Sequence, residues 1–280
     1  MINKNHNKIF WLEEFDSFLL DGKDSKRFLN GITTTNINLE KDVLKTCWLN
    51  PAGNLKSLLE IHCEGNKLKV LILQGNINEI KKYFEDMIFP SDDISISNTI
   101  KIFRLQEINK DNSWRVYPVK LFSKNNFEKF CNQNKFKMLD FNELKEWKIN
   151  QALPIFNYEI DGKNNPLELG LTDLVDFNKG CYLGQETMAR LKKVSSLKKE
   201  IRQWKSFKLI NNKKLNNKKV FLNEDKDKIV GYITSYFYSN LRQYIGLCMI
   251  KKNFLDENNS FFTEDFGVIN IVKSKFSVFL

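Results

Sequence analysis

One stretch of eight residues holds the side chains of this chain that are best suited to chemistry. It spans residues 179–186 (KGCYLGQE), and residues 185–191 after it are expected to form a helix. A thiol near a helix N-terminus and a cation is biased toward the thiolate, its nucleophilic form. Glycines at 180 and 184 let the backbone turn sharply or approach a ligand closely. The pattern therefore predicts a reactive or ligand-contacting loop, with Cys181 as the thiol and Lys179 as the nearby cation.

The same pattern also suits a glycine-flanked turn between a strand and a helix. Free cysteine often behaves as a small buried hydrophobe, so Cys181 could be inert and half-buried. Gln185 and Glu186 could bond a ligand or satisfy local backbone donors at the helix start. Arg190 follows Glu186 by four residues, which also allows an ion pair along the helix. Both interpretations stay open at this point.

The cysteines and histidines exclude several classes of site. The five cysteines are odd in number and widely spaced, without a C-x-x-C pair, which favours free thiols in a reducing cytoplasm and no metal site. Only two histidines are present, and no G-x-S-x-G or phosphate-binding glycine loop occurs. The N-terminus does not have the pattern of a signal peptide, and no apolar stretch could span a bilayer. We therefore expect a cytoplasmic protein without a membrane partner.

Turn signals and periodicity place the elements of the first two-thirds of the chain. A short helix is expected from Asp24 to Gly31, with Asp24 as its N-cap and Gly31 at its left-handed exit. Alternation and turn residues predict strands over 43–49, 55–63, 67–73 and roughly 94–104. Helical spacing predicts helices over 77–88, near 127–131 and over 141–148. These elements indicate an open antiparallel sheet with helical cover.

From about residue 200 only strand patterns remain. They lie at 203–209, 229–238, 243–251 and 267–279, and they predict a separate small β-barrel. The fold class is thus α+β, with domains over 1–200 and 201–280.

The eight-residue stretch also resembles a family signature. It matches the motif K-G-C-Y-x-G-Q-E of the YgfZ-type folate-binding proteins, which are relatives of the glycine-cleavage T-protein, an aminomethyltransferase. Four other segments resemble parts of this family: residues 26–36 (KRFLNGITTTN), 50–55 (NPAGNL), 166–171 (PLELGL) and 230–235 (VGYITS). The resemblance runs from about residue 20 to about residue 250.

This resemblance implies a fold and a function. The implied fold is a three-lobed disc, in which two interleaved α+β lobes surround a central channel and a β-barrel lobe follows. The second lobe would cover about 43–112. A folate, tetrahydrofolate or a derivative, would occupy the channel. The family is implicated in supporting iron-sulfur enzymes, including those that modify tRNA, so such client enzymes are the implied partners.

The resemblance also suggests roles for individual residues. Cys181 and Lys179 are the candidate catalytic pair. The candidate folate-binding residues are Thr34, Asn36, Asn150, Tyr182, Gln185, Glu186 and Arg190.

Two departures separate the chain from the T-protein. The T-protein carries an acidic residue just after the glycines of its hairpin, whereas residues 53–59 (GNLKSLL) contain no carboxylate. Glu60 cannot simply replace that acid, because a shift along a strand changes the face or depth of a side chain. Asn150 stands where the T-protein has a pterin-binding glutamate, and a neutral amide offers no charged acceptor. Both differences argue against aminomethyl transfer to tetrahydrofolate in glycine cleavage, which stays an alternative, and leave open whether the chain is an enzyme.

The positive charge of the chain is local. The formal net charge is +10, yet residues 190–220 alone hold twelve cations against one anion, Glu200, which leaves the rest near neutrality. Such a segment could attract the glutamate tail of a folate, a nucleic-acid backbone or an acidic protein, or it could be a solvated connector. RNA binding through residues 190–220 is therefore a further alternative function.

Overall fold

The computed structural model describes residues 8–39, 41–109, 120–122, 126, 129, 140–194, 197–208, 218–224, 226, 228–239, 241–255 and 259–272. Thirteen strands lie in these ranges: β1 Lys8–Asp21, β2 Val43–Leu49, β3 Leu55–Glu64, β4 Lys67–Gln74, β5 Ser95–Ile96, β6 Ile100–Asn109, β7 Lys120–Phe122, β8 Lys199–Ser206, β9 Lys219–Phe221, β10 Ile229–Tyr238, β11 Tyr244–Lys251, β12 Phe261–Thr263 and β13 Gly267–Val272. The helices with described bounds are α1 Ser25–Ile32, α2 Ile77–Met87, α3 Phe141–Asn150 and α4 Gln185–Val194.

The first seven strands form one antiparallel sheet. Its order is β2-β3-β4-β1-β6-β7, and β5 pairs with β1 beside this path. The long strand β1 lies at its centre, with β4 on one side and β6 on the other. The predicted antiparallel sheet is confirmed, and β2 begins and ends at the predicted residues.

Both faces of this sheet are covered, so most residues of β3 and β4 are buried. On one face α1 and α2 pack over Leu59 and Ile61, and Phe84 of α2 meets Phe18 and Trp48 edge to face. On the other face Leu58 and Leu71 share a hydrophobic core with residues of the 152–188 segment and with β11, a strand of the C-terminal barrel. Burial on two sides removes the polar-apolar alternation typical of half-buried strands. The sheet is therefore a fixed platform for the segment that contains residues 179–186.

The last six strands close into a barrel in the order β10-β11-β8-β13-β12-β9. Its core is built around Trp204 and Phe266, whose ring centroids lie 4.5 Å apart, and Trp204 donates its indole N–H to the carbonyl of Leu247 at 3.2 Å. Gly246 makes room for that indole, because a Cβ there would lie 2.7 Å from the Trp204 Nε1. The predicted barrel is confirmed, as is the α+β fold class.

Several local predictions differ from the structure. Gly31 lies inside α1, which continues to Ile32 and leaves through Thr33 in an extended conformation, so the left-handed exit at Gly31 is wrong. Thr33 replaces the glycine cap because its hydroxyl donates to the carbonyl of Leu29 at 2.7 Å. Asp24 is the N-cap residue, but its carboxylate accepts from the backbone N–H of Asp93 rather than from the helix.

Other predicted elements have different boundaries in the structure or fall outside the described residues. The strand expected over 94–104 is two strands, β5 and β6. The helix expected near 127–131, apart from residue 129, and the end of the strand expected over 267–279 lie outside the described residues. The division of the chain into domains at residue 200 and the lobe over 43–112 stay predictions. Within the described residues, no helix has the length and apolar character needed to cross a membrane.

Candidate functional site

The loop over residues 179–184 leads directly into α4. Gly184 adopts a φ of 81°, in the left-handed region, and α4 begins at the next residue. The backbone N–H of Gln185 donates to the carbonyl of Tyr182 at 3.1 Å, which closes the turn before the helix. The expected turn-to-helix arrangement is therefore present.

Lys179 fastens one end of the loop to the end of α1. Its ammonium donates to the backbone carbonyls of Asn30 at 2.6 Å, Thr33 at 2.7 Å and Thr35 at 2.9 Å. An ammonium has three N–H donors, so these contacts use all of them. Burial lowers the pKa of Lys179 to about 8, and the ammonium also lies 5.2 Å from the centre of the Tyr182 ring. The proposed effect of Lys179 on the Cys181 thiolate stays a prediction, while its contacts show an anchor.

Thr34 and Thr35 join the same region to residues 174–176. The buried Thr34 hydroxyl donates to the carbonyl of Leu174 at 2.5 Å and accepts from the N–H of Cys47 at 3.0 Å. The Thr35 hydroxyl lies 2.8 Å from the carbonyl of Lys45, its nearer acceptor, and 3.0 Å from that of Leu174, and the N–H of Asp176 donates to the carbonyl of Thr34 at 2.9 Å. Thr34 therefore has its single donor engaged inside the protein, and its predicted part in ligand binding stays untested.

Gly184 fastens the other end of the loop to the β2–β3 hairpin. A Cβ at Gly184 would lie 2.9 Å from the Cα of Gly53 and 3.0 Å from the carbonyl oxygen of Asn50. A Cβ at Gly53, whose φ is 80°, would lie 2.8 Å from the Cβ of Thr187 in α4. Two segments that the sequence analysis singled out separately thus pack backbone against backbone.

Cys181 lies exposed between these two anchors. Of the four cysteines in the described ranges, Cys47 and Cys248 are buried and Cys63 is partly buried. Burial raises the pKa of Cys47 to about 12 and raises that of Cys248 as well. The solvent-accessible thiol among these four is therefore Cys181, and the buried alternative for it is wrong.

Tyr182 points the opposite way, into the core that covers the sheet. Its ring is buried, and within the described part of the chain its hydroxyl has no hydrogen-bond partner. Burial raises the pKa of Tyr182 to about 12, with Cys47 and Asp176 adding to the shift. An unpaired buried hydroxyl costs free energy, so this group is suited to bond a molecule that reaches it.

The other candidate residues, Asn150, Gln185 and Asn36, lie on three separate segments of the chain. Asn150 is exposed at the end of α3, and its backbone carbonyl accepts from the Gln203 side chain at 2.5 Å. The Gln185 amide donates weakly to the carbonyl of Lys179 at 3.4 Å, and the Asn36 side chain accepts from the N–H of Asn38 at 3.0 Å.

Glu186 and Arg190 both lie exposed on α4. Both residues lie in the described part of the chain, and the ion pair that their spacing allows does not form between their side chains. The structure thus brings Lys179, Thr34 and Tyr182 together on the inner side of the loop and leaves Cys181, Glu186 and Arg190 on its outer side.

Between residues 53 and 59 the β2–β3 hairpin carries no carboxylate. Lys56 pairs with Glu79 at 2.6 Å, and the Ser57 hydroxyl donates to the carbonyl of Gln74 at 2.6 Å. Glu60 is buried, and its carboxylate lies 2.9 Å from the Nε2 of His62. Among the described residues no group of three His, Cys, Asp or Glu side chains could hold a metal ion.

Sequence reasoning missed the residues that anchor the loop. Asn30, Thr33 and Thr35 act through their backbone carbonyls, which carry no signal in the residue type. The sequence shows a lysine beside a glycine-rich loop, but it does not show which backbone carbonyls this lysine bonds.

Comparison with known proteins supports the resemblance found in the sequence. No protein-family model matches the chain. A chloroplastic protein of Arabidopsis thaliana, named as a transferase, is 41% identical over 54 residues, which is 19% of this chain and only 12% of that protein. The tRNA-modifying protein YgfZ of Buchnera aphidicola subsp. Acyrthosiphon pisum is 28% identical, over 64% of this chain and 67% of that protein.

A solved structure extends the likeness to nearly the whole chain. The glycine cleavage system aminomethyltransferase T from Bartonella henselae matches with a TM-score of 0.75 and 12% sequence identity, over 97% of this chain and 86% of that one. At this identity the likeness shows the fold alone. The chain is therefore similar in sequence to a YgfZ protein and has a T-protein-like fold, as the sequence motifs indicated.

Proposed function

We propose that this protein binds a reduced folate and acts as an accessory protein for iron-sulfur enzymes, with an indirect effect on tRNA modification. The proposal is supported by the tRNA-modifying relative and by the T-protein-like fold. The observation that carries it is the exposed thiol of Cys181 on a loop that Lys179 and Gly184 hold at both ends.

The exposure of Cys181 contrasts with the burial of Lys179 and Tyr182. Lys179 and Tyr182 are buried, whereas the two residues between them, Gly180 and Cys181, are exposed. A cysteine that served only packing would be enclosed, as Cys47 and Cys248 are. A loop fixed on both sides holds its exposed side chain in a defined place, which is what a functional group requires.

The polar groups of three candidate residues suit the hydrogen-bonding edge of a pterin. Asn150 and Gln185 carry amides, which both donate and accept, and neither amide is fully buried. The Tyr182 hydroxyl adds a buried group without a partner in the described structure. Thr34 fits less well, because its only donor is engaged by Leu174. Asn150, Gln185 and Tyr182 would thus hold and orient the folate, which carries a one-carbon unit when it is bound.

Glu186 and Arg190 have a different place in the proposal. Both side chains are exposed on the first two turns of α4, beyond Gln185. An exposed arginine there would attract the carboxylates of a folate glutamate tail.

An assisting role suits the thiol chemistry of the chain. Iron-sulfur clusters are held by several cysteine thiolates, and a single exposed thiol cannot hold one alone. Cys181 would instead act on a client enzyme or on a damaged cluster that the client holds. This assignment explains why one accessible thiol is sufficient.

The fold favours one alternative, the aminomethyltransferase activity of the structural neighbour. Against it, residues 53–59 contain no carboxylate in the stretch where the T-protein carries its acid, and Glu60 farther along β3 is paired with His62 inside the sheet. A glycine-cleavage assay with the purified protein decides between the two. Robust turnover would establish the transferase and overturn the accessory role.

Complementation of a strain that lacks its YgfZ protein tests the proposed function directly. The wild-type chain should restore the activity of iron-sulfur enzymes that modify tRNA, and Cys181→Ala should not. Cys63→Ala is the matched control, because Cys63 is a partly buried thiol on β3, outside the loop. Full complementation by Cys181→Ala, at equal protein level, would remove the thiol from the mechanism.

A further inference from the structure

A cavity lies between residues 158–164 and the outer face of the barrel, outside the loop over residues 179–184. Its volume is about 430 Å³, which lies within the range of small-molecule sites. Side chains from the 158–164 segment, β8, β10 and β11 line it, and none of the lining residues belongs to the 179–186 loop. The cavity is therefore separate from the proposed folate site.

The wall of this cavity is held in place by Glu159. Its carboxylate accepts from the N–H of Ile155 at 2.9 Å and from the hydroxyl of Thr234 on β10, while its backbone carbonyl accepts from the Asn164 side chain at 2.8 Å. The carbonyl of Asn164 in turn accepts from the N–H of Leu55 at 2.8 Å. These bonds join the loop to the barrel and to the sheet, so the cavity is formed before any ligand arrives.

The lining is positively charged. It contains Lys163, Lys199 and Lys251 against one carboxylate, Asp161. Lys163 has 82% of its side chain exposed and lies 3.7 Å from Asp161. The Lys199 ammonium donates to the Asn164 side chain at 2.6 Å and lies 3.9 Å from the Glu168 carboxylate, and that of Lys251 donates to the carbonyl of Ile229 at 2.9 Å. Each ammonium has three N–H donors, so these contacts leave capacity for an anion.

Further lysines extend the positively charged surface beyond the cavity. Lys219 of β9 is the register partner of Tyr232, and Lys251 pairs with Lys199 across β11 and β8. The N–H of Lys252 donates to the carbonyl of Lys198 at 3.0 Å, which places these two exposed residues beside the same edge, and the Lys252 ammonium lies 3.4 Å from the Glu200 carboxylate. A surface with this charge attracts a chain of phosphates rather than a single one.

Two tyrosines give the cavity aromatic surface. Tyr158 from the loop is 53% exposed and Tyr232 from β10 is 51% exposed, and both line the cavity. Exposed aromatic rings beside lysines are the arrangement by which proteins bind unpaired nucleotides: bases stack on the rings and cations neutralise the backbone.

We propose that this cavity binds an unpaired nucleotide of single-stranded RNA, with the base against Tyr232 and the flanking phosphates at Lys163 and Lys251. The inference deepens the proposed function by making RNA a direct partner, and only the choice of RNA over DNA rests on that function. A duplex does not fit, because its bases are stacked and paired inside the helix.

Fluorescence anisotropy with a short fluorescein-labelled oligouridylate tests this inference on the full-length protein. Wild type should bind the oligonucleotide saturably, and Tyr232→Ala should weaken binding about tenfold or more, since base stacking is lost. Tyr232→Phe keeps the ring and should bind nearly as wild type. Tyr238→Ala is the matched control, because Tyr238 is exposed on the same strand and does not line the cavity.

The salt dependence of binding tests the lysines separately. The pair Lys163→Ala and Lys251→Ala should reduce the slope of log Kd against log salt by roughly one to two units, since two phosphate contacts are removed. Lys23→Ala with Lys82→Ala is the control for charge, because both residues are exposed and lie outside the cavity.

Three results would overturn the inference. They are the absence of saturable oligouridylate binding by wild type, equal binding by Tyr232→Ala, and equal competition by duplex RNA. Tetrahydrofolate titration of the same variants keeps the two proposals apart: the cavity variants should retain wild-type folate affinity. Loss of RNA binding with folate binding intact supports the cavity, whereas folate binding without any RNA binding leaves the folate site standing and removes this one.

Discussion

The ammonium nitrogen of Lys179 lies 2.6 Å from the backbone carbonyl oxygen of Asn30, although 149 residues separate the two in sequence. This contact and those to Thr33 and Thr35 fasten the signature loop to the end of α1. On the other side of Cys181, Gly184 fits against Gly53 of the β2–β3 hairpin. The exposed thiol is thus held by two anchors that come from distant parts of the chain.

Removing the ammonium should destabilise the fold. In Lys179→Met three backbone carbonyls lose their donor, and we expect the free energy of unfolding to fall by about 1–3 kcal/mol. Urea unfolding followed by circular dichroism measures this change. Lys82→Met on the exposed face of α2 is the control and should leave stability nearly unchanged. If Lys179 acted only as a charge near Cys181, its variant would unfold like the control.

The lowered pKa of Lys179 predicts how stability depends on pH. Its pKa is about 8 in the folded protein and 10.5 ordinarily, so between these values the unfolded chain binds more protons than the folded one. The Lys179 contribution therefore makes the free energy of unfolding rise as pH increases from about 8 to 10.5. The difference between wild type and Lys179→Met, measured by urea unfolding across this window, should show that rise. A difference that stays constant with pH would mean that the pKa is not lowered.

The contact of Gly184 with the hairpin can be separated from its backbone strain. Gly184→Ala and Gly65→Ala both place a Cβ at positive φ, and each should cost about 1–2 kcal/mol for that reason. Only at residue 184 would the new Cβ also meet backbone atoms, whereas nothing lies within 4 Å at residue 65. We therefore expect Gly184→Ala to lose roughly 1–3 kcal/mol more than Gly65→Ala. Equal losses in thermal unfolding would show that the hairpin contact is not tight.

The exposure of Cys181 predicts its chemical reactivity. Iodoacetamide should label Cys181 of the native protein well before Cys47 and Cys248, which are buried with raised pKa values and therefore hold little thiolate. Peptide mass spectrometry at successive times gives the rates, and Cys181→Ser should lose the fast label on its peptide. Labelling of Cys47 or Cys248 at the rate of Cys181 would contradict the arrangement.

Regular alternation and strong turns made much of the fold predictable. The strand β10 begins and ends at the predicted residues, since its barrel face and outer face alternate and turn residues bound it. The hairpin between β2 and β3 was predictable because Pro51 and Gly53 mark the turn. In both cases the signal lies within a few neighbouring residues.

Elements that depend on distant partners could not be predicted. The strand β1 contains Glu13, Glu14 and Asp16, which interrupt its apolar pattern, and it exists because β4 and β6 pair with it on both sides. Of the candidate site, Cys181 was identified from its local setting. The bonds of Lys179 to carbonyls about 145 residues away depend on the folded chain, and no pattern in the sequence contains them.

Calorimetric titration with tetrahydrofolate, free and polyglutamylated, tests the central claim most directly. The account predicts saturable binding by wild type that weakens about tenfold in the double variant Asn150→Ala with Gln185→Ala, since two hydrogen-bonding amides are lost. Lys82→Ala should bind as wild type does, and Arg190→Ala should weaken binding of the polyglutamylated form alone. No saturable binding by the wild-type protein, or identical binding by the double variant, would contradict the claim that this loop belongs to a folate site.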